Sequence, residues 1–244
     1  MAAPATDPAL VFLPGFLQPA GAWQAVAERL PERYPSLLLD HREHTFETRL
    51  TEIAEAARGT MLCGYSMGGR LALHAALRDP AAYAGLVTIG VSAGIEVAAT
   101  RAERARADEK MASWMETQPI DAIADIWERQ PLFADQSDTL IEAQRPGRLA
   151  QDPRSLALIL RTAGQGTLEP VWQSLHRLTL PVMAVAGARD ERYADAARRI
   201  VRSVPHGRVE TVEHAGHAPQ LQQPDAVAGL LADFLDQNLV QGRV

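Results

Sequence analysis

The chain has 244 residues, 47% of them hydrophobic and 22% charged, which suits one globular unit with a full core. Its formal net charge of −6 argues against nucleic-acid binding, and no run of about 18 apolar residues is present to cross a membrane. A single cysteine, Cys63, excludes an internal disulfide and fits a reducing, cytoplasmic compartment.

The start of the chain, Met1 to Pro8, lacks a basic region followed by an apolar one, so no signal peptide is expected. All 24 basic residues but Lys110 are arginine. Arginine suits bidentate carboxylate binding wherever it lies in a pocket.

The run Ala9 to Leu13 is wholly apolar and reads as a strand buried on both faces, ended by Pro14-Gly15-Phe16. A helix is expected around Ala22 to Leu30, then a second buried strand, Ser36 to Leu39, ending at Asp40. Thr45 to Ala57 is an amphipathic helix, with Thr45 as N-cap and Gly59 closing it. Thr60 to Gly64 and Gly85 to Ile89 are the next two strands. This alternation predicts a parallel sheet with right-handed crossovers.

From Ile95 to Leu178 the alternation stops. The pattern becomes helical, with breaks at Pro119, Pro131, Pro146-Gly147, Asp152-Pro153 and Gly164-Gln165-Gly166, which predicts four or five short helices. The sheet resumes at Pro181 to Ala186. A helix over Tyr193 to Val204, a strand over Arg208 to Val212 and a closing helix over Pro224 to Asn238 follow. The expected organisation is therefore a core of residues 1–94 and 179–244 with a helical cap of residues 95–178 inserted between strands.

The chemistry centres on Gly64-Tyr65-Ser66-Met67-Gly68-Gly69, a G-x-S-x-G turn between strand and helix. Such a turn exposes the serine hydroxyl above the sheet and aims helix N–H groups at an oxyanion formed there. Asp190 follows the strand ending at Ala186, and His217 follows the last strand. Both lie at the carboxyl edge, where catalytic groups of open α/β sheets gather. A serine hydroxyl alone is a poor nucleophile or base. His217 is placed to take its proton and Asp190 to hold the histidine tautomer. His217 is preferred over His214 because Gly216 lets its loop bend toward Ser66. Met67 and Phe16 are the expected oxyanion N–H donors, since Pro14 has none. His41, His44, His74, His176 and His206 lack such placement, and no pair of them has a persuasive metal-ligand spacing, so neither metal nor cofactor is expected.

The serine turn, the Gly15-Phe16 loop and the Asp190 and His217 loops together resemble the α/β-hydrolase superfamily over the whole chain. The resemblance implies a mostly parallel sheet. About eight residues precede the first strand, too few for the usual N-terminal hairpin, so six or seven strands are expected. A narrower resemblance rests on Gly64 to Arg70, Arg101 to Asp108, Trp127 to Ala134 and Leu140 to Arg145. These stretches are similar to 2-succinyl-6-hydroxy-2,4-cyclohexadiene-1-carboxylate synthases of menaquinone biosynthesis. That family eliminates pyruvate from a cyclohexene substrate, with the triad serine acting as a base. The resemblance implies that Arg70, Arg104 and Arg145 hold the carboxylates of an anionic small molecule and that Trp127 contacts it. Arg101 and Arg106 compete with Arg104, and Arg148 lies beside Arg145. Three rim segments depart from the family: Pro14-Gly15 replaces His-Gly, and Asp40 to His44 and Gly90 to Gly94 lack the family's Gly-His loops. The alternative reading is an ester or thioester hydrolase working through an acyl-enzyme, with Met111, Trp114, Met115 and Trp127 lining its pocket.

Overall fold

The computed structural model describes residues 9–239. Six strands form one sheet: β1 (Leu10–Leu13), β2 (Ser36–Leu38), β3 (Met61–Tyr65), β4 (Gly85–Ile89), β5 (Val182–Gly187) and β6 (Gly207–Val212). Their order is β2-β1-β3-β4-β5-β6, and every neighbouring pair is parallel. β1 is thus one strand in from the edge; the chain goes outward to β2 and returns across β1 to add β3 to β6 on the other side. That reversal puts the carboxyl ends of β1 and β3 beside each other, the switch point where such sheets hold ligands.

The helices are α1 (Gln24–Ala27), α2 (Phe46–Ala56), α3 (Met67–Arg78), α4 (Ala98–Met115), α5 (Ile120–Glu128), α6 (Asp138–Leu149), α7 (Pro153–Ala163), α8 (Glu191–Ser203), α9 (Pro219–Gln222) and α10 (Pro224–Leu239). The period-two alternation of β1 divides the core. Val11 and Leu13 pack with Leu50, Ile53, Leu71 and Leu73 on one face; Leu10 and Phe12 pack with Trp23, Leu231 and Phe234 on the other. Phe12 and Trp23 stack at 4.6 Å between ring centroids. Helix α10 buries Val227, Leu231, Phe234 and Leu235 along one stripe, with Leu230 at its half-exposed margin.

Local signals behaved unevenly. Thr45 caps α2 through a reciprocal capping box with Thr48, and Gly59 follows that helix with φ +77°. The expected helix around Ala22–Leu30 is instead a 3-10 turn, Ala20–Trp23, running into the single turn of α1. β2 was expected to be buried on both faces, yet all three of its residues are half-buried, because it is an edge strand with β1 on one side only. Pro146-Gly147 does not break the chain; both lie inside α6. Proline in a helix interior costs about 3 kcal/mol. Tertiary packing offsets it here, since Gly147 lies against Pro19 and the next residue, Arg148, is buried in ion-pair contact with Glu128. The segment from Ile95 to Leu178 holds four α-helices plus short 3-10 turns, and α4, with 18 residues, is not short.

Candidate active site

Ser66 stands between β3 and α3 with φ 51° and ψ −110°, a region that costs a non-glycine residue about 1–3 kcal/mol. Two backbone bonds hold it there: its N–H donates to the Ile89 carbonyl at 2.9 Å, and its carbonyl accepts from the Arg70 N–H at 3.0 Å. The turn also needs α3 to run hard against β1. A Cβ on Gly68 would lie 2.3 Å from the Leu13 carbonyl oxygen, so only glycine fits.

His217 Nε2 lies 3.3 Å from Ser66 Oγ, and His217 Nδ1 lies 2.7 Å from Asp190 Oδ2. A carboxylate only accepts, so Nδ1 carries the proton and Nε2 is left as acceptor for the serine hydroxyl. Asp190 Oδ1 accepts from the Tyr193 N–H at 3.4 Å, so this residue also caps α8. The imidazole is buried at 2% exposure and packs against Tyr193 at 4.4 Å and Tyr65 at 5.4 Å between centroids. His214, the competing histidine, is exposed. The three side chains form one hydrogen-bonded chain from Ser66 Oγ to Asp190.

Phe16 and Met67 both line the cavity above Ser66. The neighbouring Gly15 N–H is taken by Gln18 Oε1 at 3.1 Å.

That cavity encloses about 550 Å³ and is lined by Arg70, Arg104, Arg148 and Arg192, with Asp108 as its single acid. Trp127, Phe16 and Phe133 form its apolar wall, with centroid separations of 5.0 and 5.8 Å. Met111 joins them, whereas Met115 is fully buried in the core and Trp114 packs against it. Arg70 donates from Nη1 to the Ala163 carbonyl at 2.7 Å, and its buried Nε has no partner. Arg104 is held by Asp108 through Nε at 2.7 Å.

Arg145 differs from expectation. It does not line the cavity; its guanidinium is taken by Asp125 and Glu128, each at 2.6 Å. Arg148, three residues on, is the α6 arginine in the wall. It is 3% exposed and donates to Glu128 at 2.9 Å and Gln144 at 3.0 Å. Apolar spacing could not have distinguished the two, because Arg148 is the single buried residue of α6. Sequence reasoning also passed over Arg192, Tyr193 and Gln18. Arg192 is exposed at the cavity, with its guanidinium 5.6 Å from the Tyr193 ring centroid. Its one available signal was adjacency to Asp190. Among the described residues, no helix is long and apolar enough to cross a membrane.

A parallel sheet with a serine turn after β3, an aspartate after β5 and a histidine after β6 defines a class. Residues 10–230 match the Alpha/beta hydrolase family, and the chain belongs to it. Within that family its relatives are specific. It is 30% identical over 250 residues to the 2-succinyl-6-hydroxy-2,4-cyclohexadiene-1-carboxylate synthase of Serratia proteamaculans, covering 95% of this chain and 94% of the relative. It is 28% identical over 242 residues to the synthase of the same name from Enterobacter sp., covering 93% and 92%. Among solved structures it superposes on MenH from S. aureus with a TM-score of 0.88 and 25% identity, covering 98% of this chain and 97% of that one. The fold is thus the α/β-hydrolase fold, with six parallel strands among the described residues.

Proposed function

We propose that the protein is a Ser-His-Asp enzyme of the menaquinone-pathway synthase type, which eliminates pyruvate from a carboxylated cyclohexene substrate. The observation that carries this is the charge of the cavity. Four arginines and one aspartate surround Ser66 in a chain whose net charge is −6. Cations gathered against the sign of the whole protein, with guanidinium N–H groups left unbonded, suit a substrate with several carboxylates. An ester of a neutral acid has no use for them. The synthase relatives support the same reading.

In this reading Ser66 Oγ removes a ring proton as its own proton passes to His217 Nε2. Asp190 stabilises the imidazolium so formed. The electron pair left on the ring expels the carbon–oxygen leaving group, which departs as pyruvate after taking up a proton. The N–H groups of Phe16 and Met67 bind the enolate-like oxygen, and Arg70, Arg104 and Arg148 bind carboxylates. Residues 95–178 act as the cap that closes this chamber over the sheet, with Trp127 tilted against Phe16 as part of its wall. The substrate is a small anion, and no cofactor is called on.

Pyruvate release from the cyclohexene substrate, followed by lactate dehydrogenase coupling, tests the reading. Stoichiometric pyruvate is expected, with slow turnover of p-nitrophenyl esters. Fast ester turnover without pyruvate would instead establish a hydrolase that uses the same triad through an acyl-enzyme.

The two α6 arginines offer a second test. Arg148→Met is expected to weaken substrate binding by about 2 kcal/mol or more, roughly a 30-fold rise in KM. Arg145 remains to pair with Glu128, so the fold should survive. Arg145→Ala is expected to change KM by no more than about threefold, because its guanidinium is held by Asp125 and Glu128 away from the cavity. The reverse ranking would move the carboxylate site to the outer face of α6.

A further inference from the structure

The loop that carries His217 is fastened from behind by a side chain that never reaches the cavity. Gln222 lies at the carboxyl end of α9 and is half-buried. Its Oε1 accepts from the N–H of Gly216, the residue immediately before His217, at 2.8 Å. Its Nε2 donates to Asp135 Oδ2 at 3.0 Å and reaches the Asp135 carbonyl at 3.4 Å. Asp135 belongs to the segment between β4 and β5, in the turn after the 3-10 helix Pro131–Phe133. Its carboxylate lies directly over Gly216, where an added Cβ would come within 2.2 Å of Oδ2. Phe133, two residues earlier, approaches the His217 ring with centroids 6.4 Å apart. One amide therefore spans two parts of the chain, with its oxygen on the histidine loop and its nitrogen on the helical segment above the cavity.

We infer that Gln222 is a positioning residue that latches the helical segment to the His217 loop through Asp135. Closure of the segment over substrate is thereby tied to the reach of His217 Nε2 toward Ser66. The chemistry of the pair makes the assignment testable. An amide can accept from Gly216 and donate to Asp135 at once; a carboxylate can only accept. Gln222→Glu keeps the bond to Gly216 but sets two carboxylates face to face. Like charges at that distance raise the carboxyl pKa, so acidification should protonate the pair and remake the latch. Gln222→Glu combined with Asp135→Asn restores a donor and an acceptor with their direction reversed.

The inference rests on the triad reading given above, so the readout needs the triad and no particular substrate. It is the rate at which a fluorophosphonate labels Ser66 at each pH, expressed as a ratio to the wild type at that pH. Gln222→Ala is expected to label about tenfold more slowly at every pH. Gln222→Glu should be as slow at pH 8 and recover several-fold toward pH 5. The double variant should return to within about twofold of wild type, and Asp135→Asn alone, which keeps an acceptor, should stay close to it. Wild-type rates in Gln222→Ala, or a double variant no faster than Gln222→Glu, would overturn the latch. If Gln222→Ala fails to fold, the paired variant and its pH profile decide by themselves. A wild-type protein that does not label at all would overturn the triad reading and the latch with it, an outcome visible without any variant.

Discussion

Ser66→Ala is expected to lower kcat by about 10³-fold or more while leaving the fold intact. Both the elimination and the ester chemistry route their first proton through Ser66 Oγ, so the loss should appear with either substrate. His217→Ala should cost a similar amount, and the double variant little more, because the two groups act as one proton-transfer unit. Stability gives a separate readout of the same residue. Ser66 holds φ 51°, and alanine in its place inherits that strain. Glycine does not. Ser66→Gly should therefore be about 1 kcal/mol more stable than Ser66→Ala in urea melts. Full activity in Ser66→Ala would remove Ser66 from the chemistry altogether. Equal stability of the two variants would mean that the turn is unstrained.

What the sequence disclosed follows from where each signal is local. The serine turn is local: strand, glycine spacing and helix lie within a dozen residues, and the structure puts Ser66 where they imply. Asp190 and His217 were legible because each follows a strand, apolar in β5 and mixed in β6, whose carboxyl end is forced to the same edge by parallel pairing. Edge position was not legible. Ser36 to Leu38 reads as apolar as an inner strand does, and its exposure depends on which strand happens to lie beside it. The α6 register was hidden for a related reason. A helix whose buried face is one arginine carries no apolar period, so Arg145 and Arg148 could be separated only by seeing which of them lines the cavity. The Gln222–Asp135 contact joins residues 87 positions apart with no motif at either end.

Arg70→Met is expected to make the protein more stable and the enzyme much worse. Arg70 is 8% exposed, and no carboxylate lies within ion-pair distance of it among the described residues. Burial is the main reason its pKa is lowered to about 10; Arg104 nearby lowers it further, while Tyr193 and Asp108 work the other way. A cation whose folded pKa lies below its unfolded one destabilises the fold. That cost is fully present below about pH 10 and is relieved as pH rises above it toward the ordinary arginine range. Its size is of order 3 kcal/mol. Methionine removes the charge but strands the Ala163 carbonyl, which gives back about 1–2 kcal/mol. The net gain should be roughly 1–2 kcal/mol, or about 3–6 °C in Tm for a chain of this size. Turnover of a carboxylated substrate should fall by the 2–5 kcal/mol typical of a lost charge pair, about 30-fold or more in kcat/KM, while a neutral ester is hardly affected. A polycarboxylate ligand supplies the missing counter-charge, so it should raise the Tm of the wild type and not that of Arg70→Met. If Arg70→Met melts lower and loses neutral-ester turnover equally, its bond to Ala163 serves to fasten α3 to α7, and the anion is held by the other arginines. A higher Tm with selective loss of the anionic substrate means that the fold tolerates an unpaired buried cation because the substrate completes the pair.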